Sequence, residues 1–134
     1  MISFLSAPTN LGLRPPVPGG VPGTNKAPEA LRQAGLIHRL TAMGGREAGI
    51  VLPGRYVDDD ATRPAGRVRN QEAMVDHARR LASSVEDILE AGDTPLVIGG
   101  DCSLLLGGWA SSLETGSRRV GPRRWAHRLS SPRQ

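Results

Sequence analysis

A run of four apolar residues, Pro95 to Ile98, passes without a polar break into Gly99-Gly100-Asp101-Cys102-Ser103. This junction narrows the possible folds more than any other stretch of the 134 residues. An unbroken apolar strand, as opposed to one alternating with polar residues, reads as a parallel strand covered on both faces. The Gly-Gly pair at its end lets the backbone turn where a side chain would collide, so the polar residues that follow face a cleft at a helix N-terminus. In parallel α/β sheets chemistry collects beyond the carboxyl ends of the strands. The candidate site residues are therefore Gly99, Gly100, Asp101, Cys102 and Ser103.

The segments before this junction fit the same plan. Ile2 to Ser6 reads as a first strand, followed by a loop over residues 12–25 with four Gly and four Pro, too many for regular structure. Thr24 or Asn25 is placed to cap one helix, with Pro28 and Glu29 in its first turn and Ala30, Leu31, Ala34, Ile37 and Leu40 at helical spacing. Gly49-Ile50-Val51-Leu52 reads as a second buried strand. Residues 53–69 form a polar connection that contains Asp58, Asp59 and Asp60; adjacent carboxylates in an extended loop point different ways, so the run reads as a solvated one and not a metal site. Asn70 starts the clearest helix, with Met74, Ala78, Leu81, Val85, Ile88 and Leu89 on one face, Asp76, Arg80, Ser84 and Asp87 on the other, and Gly92 as its stop. Ser103 is placed to cap a further helix over Leu104 to Leu113. The alternation β, α, β, α, β, α predicts a parallel α/β sheet layered by helices.

Composition excludes several classes. Aromatic residues make up 3% of the chain, too few for a large aromatic core. The single cysteine, Cys102, permits no internal disulfide and no thiolate zinc site of its own. No run approaches 18 apolar residues and the N-terminus lacks the form of a signal peptide, so a soluble, cytoplasmic protein with no membrane segment is expected. The net charge of +4 averages two unlike parts. Residues 1–115 carry 11 Lys and Arg against 13 Asp and Glu, or −2, whereas residues 116–134 carry six arginines and no acid, or +6.

Two readings of the Gly-Gly-Asp-Cys-Ser turn stay open on the residues alone. In one, Asp101 and Ser103 cap the helix and Cys102 packs as a small buried residue. In the other, Cys102 is a nucleophile activated by the helix terminus, although a nucleophile elbow wants glycine two positions on, where Leu104 stands.

The body of the chain from Ile2 to about Leu113 resembles the N-terminal part of the ureohydrolase superfamily, which contains arginase, agmatinase and formimidoylglutamase. The resemblance is carried by the Gly-rich loop leading into APEALRQAGLIHRL, by the helix NQEAMVDHARRLASSVEDILEAG, and by PLVIGGDCS. It implies a three-layer α/β/α parallel sheet of the arginase type, here truncated after about three strands. It also implies two Mn²⁺ ions that activate a hydroxide against the C–N bond of a small guanidino or amidine substrate. In the family the last segment reads G-G-D/E-H-S, and its histidine ligates the first Mn²⁺. Cys102 holds that position here, and a thiol suits Mn²⁺ poorly. The remaining family ligands lie on a downstream D-x-H-x-D and a D-x-D, and neither follows Ser103 in this sequence. His38 and His77 fall on helices, away from strand ends, and read as surface or core-edge residues. The expectation is a chain that binds no Mn²⁺ and has no catalytic residues of its own.

After Leu113 the sequence loses apolar periodicity and becomes Arg-rich, which divides the chain into a body, residues 1–115, and a disordered tail, residues 116–134. Sliding the codons by one nucleotide lets Arg119 to Pro132 be read as Gly-Leu-Val-His-Val-Asp-Gly-His-Thr-Asp-Phe-Arg-His-Pro. That is a strand followed by the missing D-x-H-x-D. Most positions permit this reading; Trp125 followed by Ala126 forces its glycine. The tail thus reads as a frameshifted segment, and the chain as an inactive ureohydrolase fragment whose open sheet edge favours self-association. Two other functions compete with this one. The first is a small binding protein whose basic tail contacts nucleic acid or acidic partners; the tail lacks lysine and, Trp125 aside, stacking aromatics, which makes nucleic acid a poor fit. The second is a cysteine hydrolase using Cys102, for which no base is identified.

Overall fold

The computed structural model describes residues 1–107, in which three strands form one parallel sheet. β1 (Ile2–Ala7) lies between β2 (Arg46–Ile50) and β3 (Thr94–Gly99). Ile2 pairs with Thr94 and Ala7 with Gly99, so β1 and β3 end level with each other. As the middle strand, β1 is buried from Ser3 to Ala7. Side chains alternate across a strand, which sends Leu5 and Ala7 to one face and Phe4 to the other. The first face is covered by α3 (Gln71–Glu90), whose Leu81, Val85 and Ile88 join Leu5, Ala7 and Val51 in one core, with Val97 and Leu104 packed against it. Each of the Leu, Val and Ile side chains contributes about 1.5–3 kcal/mol when fully buried. On the second face Phe4 is buried beside the turn after α2 (Leu36–Ala42), where a Cβ on Gly45 would stand 3.3 Å from its ring. α1 (Ala27–Gln33) and α2 lie against β3 and β2, which completes the α/β/α layering.

Several elements differ from the sequence reading. The helix expected to run continuously from residue 27 to 40 breaks at Gly35, whose φ of +86° lies in the left-handed region that side chains disfavour. Neither Thr24 nor Asn25 caps it: both sit in a short 3-10 turn, Thr24–Lys26, and the Thr24 hydroxyl donates to the Thr9 carbonyl. β2 starts three residues before the expected strand and is exposed throughout, because it is an edge strand; of the expected run only Val51 is buried. A bulge at Gly49 (φ +118°) shifts the register opposite Phe4 and Leu5. β3 is only half covered among the described residues, with Ile98 alone buried. On α3 the inward stripe is narrower than the periodicity implied: Leu89 is exposed and Met74 and Ala78 are half-buried, whereas His77 and Ala82 are buried. A helical turn starts at Leu104, and its continuation toward Leu113 lies outside the described residues.

Candidate functional site

The turn after β3 is pressed against the loop after β1, and its glycines are required by that approach. A Cβ on Gly100 would fall 1.8 Å from the Thr9 carbonyl oxygen, and one on Gly99 would fall 2.8 Å from the Ala7 carbonyl oxygen. The Asp101 amide donates to the same Thr9 carbonyl at 3.2 Å. The Asp101 side chain is buried, and both of its oxygens are engaged: Oδ2 accepts from the Gly12 amide at 2.7 Å and Oδ1 from the Ser103 hydroxyl at 2.6 Å. A charge-assisted bond of this length is about twice as strong as a neutral one. Thr9 Oγ1 lies 3.4 Å from Ser103 Oγ and accepts from the Leu11 amide at 3.3 Å. The first Gly of the proline-rich loop belongs to the same contact, since a Cβ on Gly12 would stand 2.7 Å from Asp101 Oδ2.

These contacts revise the roles expected of the turn. Asp101 and Ser103 bond to each other and to the loop after β1, in place of acting as simple caps, and Cys102 is exposed instead of buried. His38 is exposed on α2, and His77, far from being a surface or core-edge residue, is fully buried and donates from Nε2 to the Val51 carbonyl at 3.0 Å. The Asp58–Asp60 run is committed to closing its own loop and is not simply solvated. Arg63 pairs with Asp59 at 2.6 Å and Asp60 at 3.0 Å, Arg69 pairs with Asp60 at 2.6 Å, and Asp58 accepts from the Gly19 amide. Desolvation pushes the Asp60 carboxyl upward, but Arg69 and Arg63 outweigh it and hold the group below the ordinary carboxylate range.

The donor chemistry does not fit a Mn²⁺ ion. Mn²⁺ favours carboxylate and imidazole donors over a thiol, and the only carboxylate in the turn already accepts two hydrogen bonds. Among the described residues no group of three His, Cys, Asp or Glu side chains converges. Sequence reasoning missed Thr9 and Gly12, because their link to Asp101 spans about ninety residues of chain and leaves no local pattern.

A parallel sheet whose third strand ends in a Gly-Gly-Asp turn locked to the loop of the first defines an α/β protein of the ureohydrolase type. The sequence profile of the Arginase family matches residues 4–121, and the chain belongs to that family. It is 32% identical over 124 residues to an arginase of Neurospora crassa, covering 88% of this chain and 35% of that protein. It is 33% identical over 90 residues to an arginase of Brevibacillus brevis, covering 63% of this chain and 28% of the other. The crystal structure of Bacillus caldovelox arginase superposes with a TM-score of 0.70 at 28% identity, covering 85% of this chain and 36% of that one. The chain thus spans about a third of the length of the relatives it matches. Among the described residues no helix is long and apolar enough to cross a membrane.

Proposed function

We propose that this chain carries the N-terminal, turn-bearing part of a hydrolase of the arginase family, whose intact members act on guanidino or amidine C–N bonds, and that on its own it binds no Mn²⁺ and hydrolyses none of these substrates. The observation that supports this most directly is the turn after β3, where the residue that the resemblance aligns with the family's first Mn²⁺ ligand is the exposed Cys102 and where Asp101 is engaged by Gly12 and Ser103. Gly99, Gly100, Asp101 and Ser103 shape that turn and take no part in metal binding. A cytoplasmic location belongs to the same proposal.

Calorimetric titration of the chain with Mn²⁺ is expected to show no stoichiometric binding. Assays with arginine, agmatine and formimidoylglutamate should release no urea or related amide. In a chain whose reading frame is restored so that the downstream D-x-H-x-D and D-x-D are translated, Cys102→His should strengthen Mn²⁺ binding at the first position, since a neutral imidazole suits this ion and a thiol must first lose its proton. One or more tight Mn²⁺ ions on the present chain, or weaker binding in the restored chain after the substitution than before it, would remove this assignment.

A further inference from the structure

Three consecutive residues at the start of the Gly- and Pro-rich loop are gripped by three buried side chains that come from three different places in the chain. The Leu11 carbonyl accepts from Asn70 Nδ2 at 3.2 Å, the Gly12 amide donates to Asp101 Oδ2 at 2.7 Å, and the Leu13 carbonyl accepts from the Tyr56 hydroxyl at 2.9 Å. Asn70, Asp101 and Tyr56 are each buried, and Leu11 between their bonds is fully so. Asn70 does more than its place before α3 requires. It sits at φ +47°, uncommon for a residue with a side chain, makes no cap bond, and uses its Oδ1 to accept from the Val57 amide while Nδ2 holds Leu11. Residues kept in that backbone region persist when their surroundings over-determine them. Gly12 itself packs onto the turn after β3, its absent Cβ lying 3.6 Å from the Ser103 Cβ and 3.7 Å from the Met74 sulfur.

We propose that Asp101, Asn70 and Tyr56 are positioning residues that together pin residues 11–13, so that the loop leaving β1 is a fixed wall against Asp101 and Ser103 of the turn after β3 and not a mobile flap. The pin joins the end of β1, the connection before α3, the start of α3 and the turn after β3. It does not depend on what the turn binds, so failure to find Mn²⁺ or hydrolysis leaves it standing. A structural role confined to general stability would loosen the whole sheet when any of the three is removed. A pin loosens the loop first.

Site-resolved hydrogen exchange on the full chain separates the two. Y56F deletes a single hydroxyl, D101N removes the charge facing Gly12, and N70D keeps the acceptor for Val57 but loses the donor to Leu11. Each should raise exchange at the Gly12 amide or its neighbours by about five- to tenfold, the worth of one hydrogen bond, with the amides of Leu81 and Val85 in α3 unchanged. G12A should reproduce D101N, and the double variant should add little, because both break one contact. Unchanged exchange at residues 11–13 in Y56F and D101N, or a rise matched by the α3 core, overturns the proposal. If D101N does not fold, Y56F alone gives the same decision.

Discussion

At the residue scale the opposite end of the sheet from the turn is held by Asp93. Its Oδ2 accepts from the Ser3 hydroxyl at 2.6 Å and from Arg46 at 2.9 Å, and its Oδ1 lies 3.5 Å from the N-terminal ammonium. One carboxylate thereby ties the first residues of all three strands. The hydrogen bond from Ser3, and then that from Arg46, holds its carboxyl below the ordinary range. A depressed carboxylate contributes stability that is present above the unfolded value, near pH 3.9, and is lost as pH falls through the lower folded value. D93N should therefore lower the Tm at neutral pH, and the difference from the unsubstituted chain should shrink as the pH drops below about 4. A difference in Tm that stays constant from pH 7 to pH 3 would show that the charge of Asp93 contributes nothing.

At the element scale Gly35 opposes local propensity to tertiary placement. The apolar spacing of Ala30, Leu31, Ala34, Ile37 and Leu40 describes one helix, in which Gly35→Ala would add about 1 kcal/mol of stability by propensity alone. The break into α1 and α2 at φ +86° reverses the sign, because an L-residue there costs about 1–2 kcal/mol, even though no atom lies within 4 Å of the added Cβ. Urea unfolding of G35A should show a lower midpoint with an unchanged slope; a higher midpoint would restore the single helix. Strand placement is legible where the sequence is continuously apolar and less so where it is not. β1 and β3 stand where their apolar runs put them, whereas β2 carries the exposed Arg46 and Glu47, and sequence pattern alone places it too far on, at residues 49–52. An edge strand needs little hydrophobicity, and charged residues there discourage further pairing. His77 is a comparable case: sequence reads it as a surface or core-edge residue, and only the packed structure buries it with the Val51 carbonyl as its partner.

At the scale of the whole molecule, β3 pairs on one side with β1 and, among the described residues, with no strand on the other. Leu96 on β3 and Leu105 and Leu106 just beyond it are exposed. An open edge beside apolar surface favours association between copies. Sedimentation velocity is expected to show association that grows with concentration and is suppressed by Leu96→Lys; a monomer at every concentration would refute it. The tail from residue 116 lies outside the described residues, and its division from the body is tested by sequence and mass. Resequencing the gene around the codons for Thr115 to Arg119 should reveal one inserted or deleted base relative to the frame that encodes D-x-H-x-D. A purified natural protein whose mass includes the Arg-rich tail, from a gene with no such base change, would make the tail a genuine part of the product.

The fold class and the parallel arrangement of the three strands were legible in the sequence alone. A continuous apolar run, a Gly-Gly turn and a 20-residue amphipathic helix are local signals, each readable within its own segment of chain. Tertiary structure alone decided what the turn's residues touch. Asp101 meets Gly12, Asn70 meets Leu11 and Ser3 meets Asp93 across 89, 59 and 90 positions of chain, so no short-range pattern records them. A buried polar group must find a partner wherever the packed chain brings one, and that partner is chosen by the alignment of β1 with β3, which exists only once the sheet has formed.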